Sequence, residues 1–152
     1  MEPHFYTVDI DWSSDRKGMM CSPELNGSHE QCIQVATPPE FPKGIPGIWS
    51  PEHLFTAAVS SCLMTTFLAI AENSKLDFIS FRCGSKGKLE RIDGKYAMTE
   101  IELTPKVVVK NAADIPRALK VLEKSEAGCL ISNSVKARVT MSPLVEAQAK
   151  AA

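Results

Sequence analysis

The sequence predicts an α+β domain with an antiparallel sheet, and three observations carry that reading. A run from Leu54 to Ala71 holds no charged residue and is preceded by helix-start signals. Two long strand candidates, Phe78 to Glu90 and Tyr96 to Val109, meet at Asp93-Gly94, a strong two-residue hairpin signal. Strand-like alternation precedes the uncharged run, and a shorter helix and a last strand follow the hairpin, an order that favours α+β over alternating βαβ units. The 152 residues fit one domain. It divides into N-terminal strands (1–36), a Pro/Gly arm (37–49), a central helix (50–74), a hairpin, helix and last strand (76–142), and a tail (143–152).

His4 to Trp12 alternates as a half-buried strand does, with Phe5 and Thr7 on one side and Tyr6, Val8 and Ile10 on the other. The turn formers Ser13 to Gly18 lead to a second strand near Met19–Ser22, a hairpin with Arg16 at its tip. Asn26-Gly27 marks another turn, and Gln31 to Ala36 reads as a third strand. Thr37 to Trp49 has four prolines and two glycines, too many for a helix or a central strand. Its Phe41, Ile45, Ile48 and Trp49 are too apolar for a free linker, so the arm packs on the protein or on a partner subunit.

The central helix starts at an N-cap, Ser50. Pro51 follows at the first helical position, where a missing N–H costs nothing, and Glu52 places a negative charge by the positive end of the macrodipole. Its apolar positions keep to no single stripe, the pattern of a helix buried on nearly all sides. Such a run also satisfies the length criterion for a membrane span. Four Ser or Thr side chains in its middle, Glu52 and His53 at one end and no flanking Lys/Arg cluster favour a core helix.

Beyond the hairpin, where Val107, Val108 and Val109 suit buried strand positions, Asn111 or Asp114 caps a helix from Ile115 to about Glu126. Its apolar face is Ala118, Leu119 and Leu122, and Gly128 ends it. Val135 to Met141 alternates as a last strand. The tail LVEAQAKAA has weak helical propensity and is frayed at its end.

With 17 Lys+Arg against 18 Asp+Glu the net charge is −1, which gives no basis for a nucleic-acid or anionic-membrane partner. The N-terminus lacks the basic start and apolar run of a signal peptide, which points to the cytoplasm. Five cysteines at 21, 32, 62, 83 and 129 show neither zinc-ribbon nor CxxC spacing, so reduced thiols are expected. Cys21, Cys32 and Cys83 fall in strand candidates and read as core or surface thiols. His4, His29 and His53 are too scattered for a metal site, and no cofactor is expected.

Cys62 is the strongly nucleophilic group of the central helix. A thiol among apolar groups is ordinarily inert, and reactivity needs a positive neighbour held by an anion. Arg16 and Glu52 are candidates, although a turn arginine is ordinarily solvated and Glu52 also serves the helix dipole. Glu52 precedes Cys62 by ten residues, about 15 Å of helical rise, so a glutamate that reaches the thiol comes from a bent first turn or from a second copy of the chain. Cys129 follows a glycine able to turn the backbone sharply, and Ser132, Asn133 and Ser134 can fix the turn that holds it.

The stretch QVATPPEFPKGIPGIWSPEHLFTAAVSSC, Gln34 to Cys62, resembles the arm, helix start and first active cysteine of the OsmC/Ohr proteins, the osmotically induced and organic hydroperoxide resistance group. Cys129 to Asn133 is similar to that family's second motif, C-P-x-S-N. The resemblance implies an OsmC-like fold, with antiparallel sheets around a long buried helix in an intertwined homodimer, and a thiol peroxidase with a site at the interface. It assigns Cys62 as peroxidatic cysteine, Cys129 as resolving cysteine, Arg16 as the hairpin arginine and Glu52 as its partner. It further implies alkyl or fatty-acid hydroperoxides as substrates and a dithiol reductant such as a lipoylated protein. Leu130 stands where the organic hydroperoxide branch carries proline, which leaves the branch open. The rival reading is a non-enzymatic dimer that binds an apolar small molecule beneath the arm, with both cysteines merely packed.

Overall fold

The computed structural model describes residues 1–25 and 31–149. They form two compact units, Met1–Leu54 and Phe55–Ala152. The expected Asn26-Gly27 turn and His29 lie outside the described residues.

In the first unit β1 (Asp9–Ser14), β2 (Lys17–Cys21) and β3 (Ile33–Ala36) form an antiparallel sheet in the order β1-β2-β3. The hairpin turns at Asp15, whose φ of 47° is a conformation that aspartate tolerates better than most residues. A register shift between Trp12 and Ser14 bulges the strand beside it. β1 begins later than its alternation suggested and is exposed on both faces rather than half-buried.

Cys21 and Cys32 are joined in a disulfide, which overturns their reading as separate thiols. The cause is register. Met20 pairs with Ile33, so the next antiparallel step sets Cys21 opposite Cys32, with Cα atoms 4.5 Å apart, within bonding range.

The arm is ordered by backbone hydrogen bonds within this unit. Thr37 N–H donates to Arg16 O (3.0 Å), Ile45 N–H to Thr37 O (2.9 Å) and Ala36 N–H to Trp49 O (2.8 Å). Gly44 packs so closely on Pro38 that a Cβ there would collide with the Pro38 carbonyl.

The long helix α1 spans Pro51–Asn73. Ser50 caps it reciprocally with His53. The His53 N–H donates to Ser50 Oγ (3.3 Å), and the Ser50 N–H donates to His53 Nδ1 (3.3 Å). Histidine thus takes the place that glutamate holds in a capping box.

In the second unit β4 (Phe78–Ile92) and β5 (Lys95–Val109) form the expected hairpin, with Asp93 and Gly94 at φ of 50° and 80°, the geometry of a type I′ turn. The sheet is mixed rather than wholly antiparallel. β6 (Arg138–Met141) and β7 (Leu144–Ala147) both pair parallel to β5, at its Glu100–Leu103 and Lys106–Val109 stretches. Pro105 is tolerated in so central a strand because of this handover. Leu103 O and Val109 O accept from Ser142 and Gln148, so odd residues of β5 turn their polar groups toward β6 and β7. The missing N–H of Pro105 falls opposite Pro143, where one partner strand ends and the next begins.

The same odd positions point into the core. Ile101, Leu103, Val107 and Val109 are fully buried, whereas Glu102, Thr104 and Lys106 are exposed and Val108 is half-buried. Helix α2 (Ile115–Ala127) follows a 3-10 turn, Ala112–Asp114. Neither Asn111 nor Asp114 caps it through a side chain. Its Ala118, Val121 and Leu122 cluster with Phe67 and Ala71 of α1 and with Val107 and Val109. A second cluster joins Val59 and Leu63 of α1 to Ile101, Leu103 and Ala137.

Helix α1 therefore buries one stripe, Val59, Leu63, Phe67 and Ala71, and not nearly all its sides. Met64 and Leu68 are exposed on the other side. The helix is long and apolar enough to cross a membrane by length and composition, but its buried stripe is that of a core helix laid on a sheet. The tail forms the strand β7 rather than a weak helix, with Val145 and Ala147 packed against the first cluster; the fraying expected at its end concerns residues 150–152, which lie outside the described part.

Candidate functional site

Cys62 is half-buried on α1, between the buried Val59 and Leu63. One turn on, the Thr66 hydroxyl lies 4.0 Å from Cys62 Sγ. The end of α2 brings Cys129 to the same place. Gly128 N–H closes the helix on Lys124 O (2.9 Å). A Cβ on Gly128 would lie 3.2 Å from that carbonyl and 3.9 Å from Thr66 Cγ2, so the chain passes close to α1 here. Gly128 keeps a φ of −90°. Its contribution is room beside the helix rather than the sharp turn expected of it.

The next residues lock the turn. Asn133 N–H donates to Cys129 O (3.0 Å), the Asn133 amide to Ala127 O (3.2 Å) and the Ser134 hydroxyl to Leu130 O (2.8 Å). Asn133 and Ser134 supply the anchoring expected of Ser132–Ser134, whereas the buried Ser132 hydroxyl bonds no backbone group. The anchoring leaves Cys129 fully buried and aims the Ile131 N–H at Cys62 Sγ, 3.5 Å away.

The two thiols titrate in opposite directions. For Cys62 the largest single influence, burial, raises the pKa. Hydrogen bonds from the Cys129 thiol, the Ile131 N–H, the Thr66 hydroxyl and the Leu130 backbone together outweigh it, and the thiol titrates below its ordinary value. Burial pushes Cys129 up, the Cys62 sulfur pushes it further, and Ser132 opposes both only in part. The shifts thus make Cys62 the more acidic of the two thiols.

Arg16 sits in the β1–β2 turn and lines, with Asp15, Lys43 and Ile45, a cavity of about 460 Å³ in the first unit. Glu52 is half-buried in the first turn of α1. Each of the two is described within the first unit, whereas Cys62 and Cys129 meet within the second. Cys83 is a half-buried free thiol on β4, pushed up by burial.

Thr66 and the backbone amides at 130 and 131 were not foreseen. The four-residue spacing of Cys62 and Thr66 on a helix carried a signal for the first; backbone donors carry none in side-chain identity.

The fold and this site define an α+β protein with a cysteine pair between its core helix and the turn after its second helix. The OsmC-like protein family model matches residues 44–143, and the chain belongs to the OsmC-like family. It is 27% identical over 95 residues to the uncharacterized protein YmaD of Bacillus subtilis, a match spanning 60% of this chain and 63% of that relative's length. Its fold is similar to that of an OsmC-like protein of unknown function from Vibrio cholerae (TM-score 0.81, 23% identity, 93% and 100% of the two chains). It is also similar to that of an organic hydroperoxide resistance protein from Elizabethkingia anophelis (TM-score 0.73, 20% identity, 97% and 99%).

Proposed function

We propose that this protein is a cysteine-based peroxidase that reduces organic hydroperoxides, with hydrogen peroxide as a secondary substrate, in cytoplasmic oxidative stress defence. The observation that carries the reading is the meeting of a half-buried Cys62, held below its ordinary pKa, and a fully buried Cys129, with the Ile131 N–H 3.5 Å from the Cys62 sulfur. The Cys62 thiolate attacks the distal oxygen of the hydroperoxide. The O–O bond breaks, the alkoxide leaves and takes up a proton, and Cys62 becomes a sulfenic acid. The Cys129 sulfur then attacks the sulfenic sulfur and displaces its oxygen as water, which forms the Cys62–Cys129 disulfide. An external dithiol, such as a lipoylated protein, returns two electrons by exchange and restores both thiols.

In this reading Arg16 stabilises charge developing on the peroxide oxygens and Glu52 orients it, in a homodimer. Support for the dimer comes from the uncharged outer side of α1, where Met64 and Leu68 are exposed beside Ser61 and Thr65. An apolar stripe on a core helix calls for a covering surface, and a second copy of the chain is the occupant the family resemblance supplies.

The test is steady-state consumption of cumene hydroperoxide with a dithiol reductant. Wild-type protein should turn over, Cys62→Ser should be inactive, and Arg16→Ala should lose at least about a hundredfold in rate while keeping its fold. No turnover by the wild-type protein would remove the peroxidase reading in favour of a binding protein for an apolar molecule, and a Cys62→Ser variant as active as a turning-over wild type would remove Cys62 from the chemistry.

A further inference from the structure

We propose that the cavity in the first unit is a carboxylate-binding site, with Lys43 as the residue that selects the ligand's charge and Ile45 as the wall that takes its apolar body. Asp15, Arg16, Lys43 and Ile45 line about 460 Å³, within the range of small-molecule sites. Backbone hydrogen bonds tie its two walls together. Thr37 N–H donates to Arg16 O (3.0 Å) in the hairpin turn, and Ile45 N–H donates to Thr37 O (2.9 Å) in the arm. One residue, Thr37, thus fixes both sides. The inference rests on the peroxidase reading only through the part given there to Arg16, and it deepens that reading.

Lys43 is placed there against its own backbone preference. Gly44 N–H donates to Phe41 O (2.9 Å), which closes a four-residue turn with Pro42 second and Lys43 third. Lys43 has a φ of 62°, the conformation that a type II turn requires at its third residue and that glycine adopts at least cost. Of the described non-glycine residues at positive φ, Asp15, Lys43, Lys75 and Asp93, two line this one cavity. A lysine at a glycine position points to a use for its side chain. Neither cation is committed elsewhere. Among the described residues the ion pairs use Lys88, Lys106, Lys110, Arg117 and Arg138, and Arg16 and Lys43 pair with no carboxylate, Asp15 included. Two cations against one aspartate leave the lining with one net positive charge. That suits a monoanion, and Asp15 disfavours a dianion such as phosphate. Arg16 is engaged by the peroxide oxygens in the proposed reaction, so Lys43 is the cation left for a second negative group.

The experiment titrates the full chain with sodium octanoate, and with octanol as the uncharged control, while following the amide NMR resonances of Arg16, Lys43 and Ile45. Octanoate should shift all three and octanol should not. Lys43→Gln should weaken octanoate binding by roughly tenfold. Lys43→Asn, whose backbone adopts this turn more readily, should weaken it as much without loosening the arm. Kinetics then separate two sources of the carboxylate. A Lys43→Gln variant whose KM rises more for linoleic acid hydroperoxide than for its methyl ester shows that the carboxylate belongs to the substrate; octanoate binding through Lys43 without that split shows a separate acid in the same site. No shift with octanoate, equal shifts with octanol, or octanoate binding unaffected in both Lys43 variants would overturn the proposal. The titration uses no peroxide, so a protein that binds octanoate through Lys43 yet reduces no hydroperoxide would defeat the peroxidase reading alone.

Discussion

The division of labour proposed for the two sulfurs rests on their opposite titration. Burial raises both thiols, the donors around Cys62 carry it below its ordinary value, and the neighbouring Cys62 sulfur pushes Cys129 further up, so the pair releases its first proton early and its second late. Alkylation against pH should show Cys62 reacting with a midpoint below the free-thiol value of about 8.5 and Cys129 reacting only above it. Cys129→Ala removes the donor and should reduce the Cys62 thiolate fraction at neutral pH by roughly tenfold, whereas Cys129→Ser, which keeps a hydroxyl, should retain much of it. The linkage to stability differs in sign for the two groups. The lowered pKa of Cys62 contributes stability that is complete above the unfolded-state value and lost as pH falls through the folded value. The raised pKa of Cys129 contributes stability that is complete below the unfolded-state value and lost as pH rises through the folded one. Urea midpoints of the protein with Cys62 and Cys129 reduced should therefore fall on the alkaline side in wild type and hold better in Cys129→Ser. Both cysteines were legible in sequence from their motifs. The donors around them were only partly so, because backbone amides follow from the path of a turn rather than from residue type.

At the scale of elements, the disulfide and the arm make the clearest cases. The Cys21–Cys32 bond closes a loop whose ends are 11 residues apart. Reducing it, or Cys21→Ser with Cys32→Ser, should lower the stability of the first unit by roughly 3 kcal/mol, measurable by urea unfolding with and without reductant. Gly44→Ala should loosen the arm, since its methyl collides with the Pro38 carbonyl; faster amide exchange at Ile45, which bonds Thr37 O, is the expected sign. Unchanged exchange would show that the arm accommodates the methyl. The elements themselves were largely readable: Ser50-Pro51 started the long helix and Asp93-Gly94 turned the long hairpin where expected. Pairing was less so. Nothing local in Val135–Met141 or in LVEAQ states that β6 and β7 run parallel to β5, because strand direction is decided by where the chain returns. The disulfide was hidden for a related reason, since it depends on the register of two strands and not on cysteine spacing.

For the whole molecule, an uncharged core helix that packs only one stripe, at Val59, Leu63, Phe67 and Ala71, leaves Met64 and Leu68 exposed in the chain alone. The proposed second copy would reconcile a sequence that reads as buried on nearly all sides with a chain that buries one side. Sedimentation should give a dimer, and Leu68→Glu should shift it toward monomer; a wild-type monomer would remove the shared-site account of Arg16 and Glu52. The central claim is narrower and does not depend on that outcome: Cys62 and Cys129 are a redox pair. The most direct measurement is peptide mass spectrometry of protein reduced at these two cysteines after one equivalent of cumene hydroperoxide. The account predicts a Cys62–Cys129 disulfide formed within the first turnover, with Cys83 still a free thiol. Both cysteines unmodified, or oxidation confined to Cys83, would contradict it.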